Sequence, residues 1–271
     1  MYRAFFNLAD APFNITPNPR FLLMTKHHRE AYNALIFGIQ QRKGFIQLTG
    51  EVGSGKTTLC RAVLDYLGKS VDTALILNPT LTETQLLRAI LHDFGIEAKG
   101  RDRLAYIEKL NEFLLQRTSE GMNVALLIDE AQNLSPQVME QVRLLSNLET
   151  DSHKLIQIVL AGQPELDQRL SSPELRQLRQ RITVRYHLPA LTESESTAYI
   201  SHRLKTAGAD ETMVQFADKA VEAVFKYSRG IPRMINAVCD SALMAAYVAN
   251  TRIIDIHCVR RAIQHLEGKS S

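Results

Sequence analysis

A ten-residue stretch, TGEVGSGKTT at 49–58, combines residue types and a spacing that suit phosphate binding. Glycines stand at 50, 53 and 55, and Lys56 and Thr57 follow directly, which satisfies the pattern GxxxxGK[ST]. Glycine permits backbone angles that a side chain would block, so consecutive amides can curl around an anion. The loop follows an apolar run, FIQLT, and precedes a helical pattern, TLCRAVLDYL. We therefore predict that this phosphate loop (residues 50–58) binds a nucleotide.

The residues of the phosphate loop have different expected roles. Lys56 is expected to reach the β and γ phosphates, and the Thr57 hydroxyl to coordinate Mg²⁺. The alternative, a merely flexible turn, is disfavoured because a lysine buried at a helix start needs an anion to offset its charge. The predicted nucleotide-binding residues of the loop are Gly50, Glu51, Val52, Gly53, Ser54, Gly55, Lys56, Thr57 and Thr58.

A second chemical signature is the stretch VALLIDE at 124–130. Its apolar residues predict a buried parallel strand that ends at a carboxylate pair. Asp129 is expected to hold Mg²⁺ through water, and Glu130 to act as the base that polarises the attacking water. The added glutamate points to ATP hydrolysis, since nucleotide switches can bind with the aspartate alone. The alternative is an ordinary solvated strand end.

Three further positions are weaker candidates. Gln163, in LAGQPEL, follows a predicted strand and could read the γ phosphate or orient the water, although polar residues are common at strand ends. Arg181 is the first candidate for an arginine that reaches the nucleotide of a neighbouring subunit, and Arg179 is the second. The alternative for this arginine-rich run is a solvated basic face.

Another arginine, Arg233, follows the helix start Gly-Ile-Pro in the last third of the chain. It is predicted to lean over bound ATP and to couple the two lobes to the nucleotide state. A plain surface arginine is the alternative.

The order of elements predicts an α/β fold with a five-stranded parallel sheet covered by helices. Beyond Pro189 the pattern changes to helices, with breaks near Gly208 and Gly230 and no clear strand. We expect an N-terminal segment (1–43), a nucleotide-binding core (44–190) and a small all-α lid (191–271). The candidate strands are FIQLT (45–49), TALILN (73–78), NVALLID (123–129), LIQIVLAG (155–162) and ITVRYHL (182–188).

Composition is that of a folded protein, with 45% hydrophobic and 23% charged residues. No apolar run approaches the roughly 20 residues that cross a bilayer, and the N-terminus lacks a secretory signal. A cytoplasmic location is therefore expected. The net charge is +3, and the sequence has no run of basic residues typical of a nucleic-acid-binding tail. The three cysteines lack metal-ligand spacing and are expected to be buried thiols.

With these features in this order, the chain resembles the AAA+ ATPases, P-loop NTPases with an αβα sandwich and a helical lid. More narrowly, it resembles the general secretion pathway protein A family, with its relatives in pilus and exopolysaccharide loci. The resemblance lies in the opening segment MYRAFFNLADAPFNITPNPRFLLMTKHHREAYNALIFGI and in GFIQLTGEVGSGKTTLCR, LLIDEAQNLSP, LAGQPEL and RGIPRMINAVCD. The loop and the DEAQ strand end are shared widely among ATPases, so the opening segment is the discriminating part. The resemblance covers nearly the whole chain.

The resemblance implies further expectations. Pro12 and Phe13 would contact the adenine of ATP, or else only pack the N-terminus onto the core. The protein would form a homo-oligomeric ring, with a hexamer as one candidate size. It would work with an inner-membrane secretion or pilus assembly protein and so lie peripherally at that membrane. Longer family members continue into a membrane span and a peptidoglycan-binding region, so this chain is expected to be a short member or an excised module.

Two other functions stay open on the residues alone. One is a DNA-bound ATPase of the transposition-regulator type, and the other is a nucleotide-gated scaffold with negligible turnover. The near-neutral charge weighs against extended DNA binding, which usually requires clustered Lys and Arg. Glu130 weighs against a pure scaffold. The favoured function is an ATP- and Mg²⁺-dependent ATPase that assists assembly of a secretion or surface-appendage complex.

Overall fold

The structure, a computed structural model, describes residues 1–77, 79–97, 102–150, 153–210 and 213–269. It divides into two compact units. The sheet unit contains residues 26–50 and 59–188, and the lid unit contains residues 1–25, 51–58 and 189–271. The chain ahead of residue 44 thus contributes to both units.

The sheet unit is built on the predicted five-stranded sheet. All its strand pairs are parallel, and the strand order is β2-β3-β4-β1-β5. The prediction of a five-stranded parallel sheet is confirmed. The second strand begins at Val71, earlier than expected, and the predicted strand end Asn78 lies outside the described residues. The strands are β1 (Phe45–Gly50), β2 (Val71–Ile76), β3 (Asn123–Ile128), β4 (Gln157–Gly162) and β5 (Ile182–Leu188).

The three central strands of the sheet form the buried core of the sheet unit. Every residue of β1, β3 and β4 is buried, as expected for parallel strands covered on both faces. At the edge, β5 alternates buried ends with exposed residues such as Thr183 and Arg185. The helices of this unit are α2 (Lys26–Gln40), α3 (Lys56–Leu67, which begins in residues of the lid unit), α4 (Glu83–Asp93), α5 (Arg103–Ser119), α6 (Pro136–Leu145), α7 (Glu165–Leu170) and α8 (Arg176–Arg181).

Helix starts follow the local rules of side-chain capping. Thr82 and Gln85 form a reciprocal capping box ahead of α4. Ser135 accepts a hydrogen bond from the amide of Val138, and proline occupies the first position of α6. These caps satisfy amide donors that the first helical turn leaves free.

The lid unit combines the N-terminus with the last third of the chain. Its helices are α1 (Tyr2–Phe5), α9 (Glu193–Thr206), α10 (Asp218–Ser228), α11 (Pro232–Val248) and α12 (Ile256–Leu266). Aromatic residues of the N-terminal segment, among them Phe6, Phe13 and Phe21, share one apolar core with these helices. The N-terminal segment is therefore an integral part of the lid unit's core.

Two short strands in the lid unit were not expected from the sequence. β6 (Gln215–Phe216) and β7 (Ile253–Ile254) pair in parallel. Two-residue strands are too short to show the alternating pattern by which strands are recognised. Both predicted breaks are glycines with positive φ, Gly208 at +84° and Gly230 at +74°. A Cβ atom on Gly230 would lie 1.9 Å from the carbonyl oxygen of Leu191, so only glycine fits there.

Among the described residues, no helix is both long enough and apolar enough to span a bilayer. Cys60, Cys239 and Cys258 are free thiols and are buried, as predicted. Burial raises the pKa of the Cys239 thiol well above its usual value, so this cysteine is an inert part of the lid core.

Candidate functional site

The phosphate loop connects β1, which ends at Gly50, to α3, which begins at Lys56. Gly53 has a φ of +78° and Gly55 a φ of +102°, in a region that side chains disfavour. The two glycines are therefore required by the backbone path of the loop. The loop ends at a helix N-terminus, where free amides and the helix dipole favour an anion.

The start of α11 lies directly against the phosphate loop. The amide nitrogen of Arg233 donates a hydrogen bond of 3.2 Å to the carbonyl oxygen of Gly53. A Cβ atom on Gly53 would lie 2.3 Å from the Cβ of Arg233, so a side chain at this loop position has no room. Beyond this backbone contact, the Arg233 side chain is exposed.

Two buried polar side chains in the loop support an anionic ligand. Lys56 is 4% exposed, and its Nζ donates a 3.0 Å hydrogen bond to the carbonyl oxygen of Glu51. Ser54 is 1% exposed, and among the described residues nothing forms a hydrogen bond with its Oγ. A buried hydroxyl without a partner is costly unless a ligand or water satisfies it. The loop thus has the cation, the hydroxyl and the backbone curvature that a phosphate group requires.

The predicted site residues Asp129 and Gln163 follow the neighbouring strands β3 and β4. Because the strands are parallel, the carboxyl ends of β1, β3 and β4 lie at the same edge. Asp129 follows β3 and is 3% exposed. Its amide donates to the carbonyl oxygen of Ile76, and its Oδ1 accepts from the amide of Glu130 at 2.9 Å. A carboxylate is a hard oxygen donor of the kind that Mg²⁺ prefers.

The backbone of Glu130 is left-handed, a conformation that Asn7, Arg42, Arg229 and Asn250 share. Its φ of +50° and ψ of +37° are left-handed, which a side-chain-bearing residue adopts at a cost of about 1–3 kcal/mol. This turn directs the chain from β3 into a short 3₁₀ helix (Ala131–Asn133). Strain of this kind often marks functional sites, where the surrounding structure holds the residue in place.

Two glutamine amides converge on the Glu130 carboxylate. Gln132 Nε2 donates to Glu130 Oε2 at 2.6 Å, and Gln163 Nε2 donates to the same oxygen at 3.1 Å. Gln132 Oε1 in turn accepts from the amide of Gln163 at 3.0 Å. We call Glu130, Gln132 and Gln163 the strand-end cluster. Gln132 thus forms hydrogen bonds with both the predicted base, Glu130, and the predicted water-orienting residue, Gln163, which also bond to each other.

Gln132, together with the residues that support it, was missed by the sequence analysis. Arg169 donates hydrogen bonds to the carbonyl oxygens of Gln132 and Leu134, which fixes the 3₁₀ turn. A Cβ atom on Gly162, the last residue of β4, would lie 2.8 Å from Gln132 Oε1. The only available signal was the glutamine two residues after the base, in the stretch DEAQ, because Arg169 and Gly162 look ordinary in the sequence.

The two candidate arginines differ in their surroundings. Arg181 donates to Ser146 Oγ at 2.7 Å and to Asn147 Oδ1. Its charge also contributes to lowering the pKa of the Glu140 carboxyl, for which the hydrogen bond from Arg143 is the main cause. The Arg179 side chain is exposed, and its carbonyl oxygen accepts a hydrogen bond from Arg185.

Pro12 and Phe13 are both buried in the lid unit. Phe13 is 1% exposed and packs edge-on against Phe216, with ring centroids 6.1 Å apart. The carbonyl oxygen of Pro12 accepts a hydrogen bond from Arg203 Nε. These contacts favour the packing alternative for the Phe13 ring, whereas the backbone at 12–14 is held by a buried arginine.

Comparisons with known proteins place this arrangement in a family. The AAA domain family matches residues 39–170. Over 94% of its length, the chain is 46% identical to the general secretion pathway protein A of Aeromonas hydrophila, and it spans 46% of that relative. It is 24% identical over 89% of its length to a Holliday junction branch migration complex subunit, RuvB, of Limosilactobacillus reuteri, covering 64% of that protein.

Solved structures share the fold. The ORC2 protein of Aeropyrum pernix, in its ADPNP and ADP complexes, superposes with a TM-score of 0.73 at 18% identity, over 93% of this chain and 71% of the other. The sheet, the phosphate loop and the helical lid define this chain as an AAA+ ATPase, which confirms the predicted fold class. Within that class, the chain is similar to general secretion pathway protein A, at 46% identity over 94% of its own length.

Proposed function

We propose that this protein binds and hydrolyses ATP in the presence of Mg²⁺ and uses the cycle to assist assembly of a secretion, pilus or surface-polysaccharide complex at the inner membrane. The observation that carries the proposal is the phosphate loop with its buried Lys56 and its buried, unsatisfied Ser54 hydroxyl, in a chain that also has a buried Asp129 followed by Glu130. A scaffold that only binds ATP would need no such base.

Each loop residue has a proposed role in ATP binding. The amides of residues 50–58 surround the phosphates, and Lys56 neutralises the charge on the β and γ groups. Thr57 and Asp129 hold Mg²⁺, which supplies charge neutralisation of the phosphates when bound. Arg233, at the start of α11, is proposed to reach the nucleotide with its exposed side chain. Residues 1–43, including the backbone at Pro12, are proposed to contact the base.

Glu130 is the proposed general base. Its Oε2 is occupied by the two glutamine amides, and these bonds leave Oε1 to accept a proton from the attacking water. A positioned base of this kind typically contributes about 10²–10⁴-fold to the rate. Gln163 is proposed to act through Glu130, since its side-chain amide is directed at that carboxylate.

The proposal of an assembly role rests on the similarity to general secretion pathway protein A. The chain spans about half the length of that curated relative, so partners of the whole relative are transferred as proposals only. We propose a homo-oligomeric ring, hexameric in its simplest form, that works on the cytoplasmic side of the inner membrane with a membrane-bound partner. An arginine of one subunit would complete the site of the next.

Nucleotide binding and turnover of the purified chain test this function. We expect saturable binding of labelled ATP with Mg²⁺, steady phosphate release, and loss of both on Lys56→Ala. Lys43→Ala, an exposed lysine outside the loop, is the matched control and should behave as the unchanged protein. Absence of saturable binding in the unchanged protein would refute the proposal.

A DNA-bound ATPase is the alternative, and its support is the 24% identity with the branch migration subunit RuvB. Titration of labelled duplex DNA at moderate salt, with and without ATP, separates the two. Binding that weakens steeply with salt and depends on ATP would favour the DNA function. We expect no ATP-dependent binding.

A further inference from the structure

Gln132 forms a hydrogen-bonded bridge between the ends of two neighbouring strands. It lies in the turn after β3, with only 9% of its surface exposed. Its Nε2 donates to Glu130 Oε2 at 2.6 Å, while its Oε1 accepts from the amide of Gln163, which follows β4. Both halves of one side-chain amide are used, so its orientation is fixed.

The surroundings of Gln132 hold it in this orientation. Arg169 donates to the carbonyl oxygen of Gln132 and to that of Leu134, which anchors the backbone of the turn. Gly162 leaves the space that Gln132 Oε1 occupies, because a Cβ atom there would lie 2.8 Å away. These contacts hold the Gln132 amide in the position from which it donates to Glu130.

We propose that Gln132 is a positioning residue for Glu130, and that it sets which carboxylate oxygen faces the attacking water. The two amide donors on Oε2 select one rotamer of the carboxylate and direct Oε1 away from the cluster. This inference rests on the proposed ATP hydrolysis, in which Glu130 acts as base. Gln132 itself needs to touch neither water nor nucleotide to have this effect.

The first test needs no nucleotide. In ¹⁵N-correlated NMR spectra of the nucleotide-free protein, Gln132→Met and Gln163→Met identify the two side-chain amide signals by their disappearance. Glu130→Ala keeps both glutamines but removes the carboxylate that accepts their hydrogen bonds, so the Nε2 signals of Gln132 and Gln163 should both shift. Unchanged positions of both signals in Glu130→Ala would overturn the proposal, whatever the protein does with ATP.

The second test separates positioning from binding. Gln132→Met keeps the side-chain length but removes both hydrogen bonds. We expect kcat to fall by about 10- to 100-fold, the scale of a misplaced catalytic group, with the affinity for Mg-ATP unchanged. Gln141→Met is the matched control, since Gln141 is also buried but accepts its hydrogen bond from Arg103 on a different part of the unit. It should leave kcat unchanged.

A double variant shows whether Gln132 acts through Glu130. In a Glu130→Gln background the base is already absent, so adding Gln132→Met should change the residual turnover by less than about twofold, because two residues of one network are not additive. A full additional loss would overturn the proposal. If the unchanged protein shows no ATP turnover but the Gln132 and Gln163 amide signals shift in Glu130→Ala, the proposed hydrolysis is wrong. The hydrogen bonds from the two glutamines to Glu130 are then still confirmed.

Gly162→Ala provides an independent route to the same cluster. The added methyl group displaces the Gln132 amide without altering a hydrogen-bonding side chain. We expect the same pattern of reduced kcat and retained ATP affinity, together with a shift of the Gln132 amide signal. A shifted signal with unchanged kcat would overturn the proposal.

Discussion

The amide of Arg233 donates a hydrogen bond to the carbonyl oxygen of Gly53, and the Cβ of Arg233 lies where a side chain on Gly53 would have to be. The start of α11 is therefore in backbone contact with the proposed phosphate-binding loop. Any change in the loop on ATP binding has a direct route to α11 and to the exposed side chain of Arg233.

Gly53→Ala should weaken ATP binding. The substitution places a Cβ 2.3 Å from that of Arg233 and forces alanine to adopt a φ of +78°. We expect the dissociation constant for Mg-ATP to rise by at least about tenfold, which corresponds to about 1.4 kcal/mol. Gly95→Ala is the control, because Gly95 has a similar φ of +73° but no atom within 4 Å of the place that the added methyl group would take. Equal affinities in both variants would disprove the steric explanation.

Glu130→Gln should separate binding from turnover. The substitution keeps the shape of the side chain, and the amide oxygen can still accept from Gln132 and Gln163. The amide cannot take a proton from water, so we expect turnover to fall about 10²–10⁴-fold while the affinity for ATP stays within about threefold of the original. Phosphate release and equilibrium binding measure the two quantities. Unimpaired turnover would remove Glu130 from the role of base.

Mixed oligomers should distinguish the two arginines. Arg179 is exposed, whereas Arg181 is bonded to Ser146 and Asn147 within its own unit. We therefore expect Arg179→Ala subunits, inactive alone, to regain turnover when mixed with Lys56→Ala subunits. Arg181→Ala subunits should lose activity mainly through local destabilisation and should not be rescued. If mixing with Lys56→Ala subunits rescued Arg181→Ala but not Arg179→Ala, the intersubunit role would belong to Arg181.

Arg203→Met should destabilise the lid unit. The Arg203 side chain is 7% exposed, donates to the carbonyl oxygens of Pro12 and Asn14, and stacks on Phe21 at 4.8 Å. Its loss leaves carbonyl groups without their donor, so we expect the free energy of unfolding to fall by about 2–4 kcal/mol, measured in urea.

Arg20→Met is the matched control for Arg203→Met. Arg20 also connects the N-terminal segment to α9, through the carbonyl oxygen of Thr206, and pairs with Asp10, but its side chain is 56% exposed. An exposed ion pair contributes about 0–1 kcal/mol. Equal destabilisation by both substitutions would contradict the assignment of Arg203 as the main anchor.

The sequence predicts the sheet and the loop well because both depend on local patterns. Apolar runs identify β3 and β4, a mostly apolar run identifies β1, and glycine spacing identifies a loop whose backbone has positive φ at Gly53 and Gly55. Capping boxes at Thr82 and Thr192 mark helix starts by chemistry confined to four residues.

The strand-end cluster could not be predicted from local patterns. Gln132 and Gln163 meet only because β3 and β4 are neighbours in the sheet, and that order is a property of the whole fold. The sequence left two alternatives open for Phe13, contact with adenine or packing of the N-terminus onto the core, because its partner Phe216 is about 200 residues away along the chain.

The position of β1 between β4 and β5 has a consequence during synthesis. Phe45 pairs with Ile158 and Ile182, so β1 emerges from the ribosome long before either neighbour exists. At about 5–20 residues per second, the wait lasts about 5–25 s. Until then β1 has neither neighbour, so its apolar residues Phe45, Ile46 and Leu48 lack the strand partners beside which they are buried in the folded sheet.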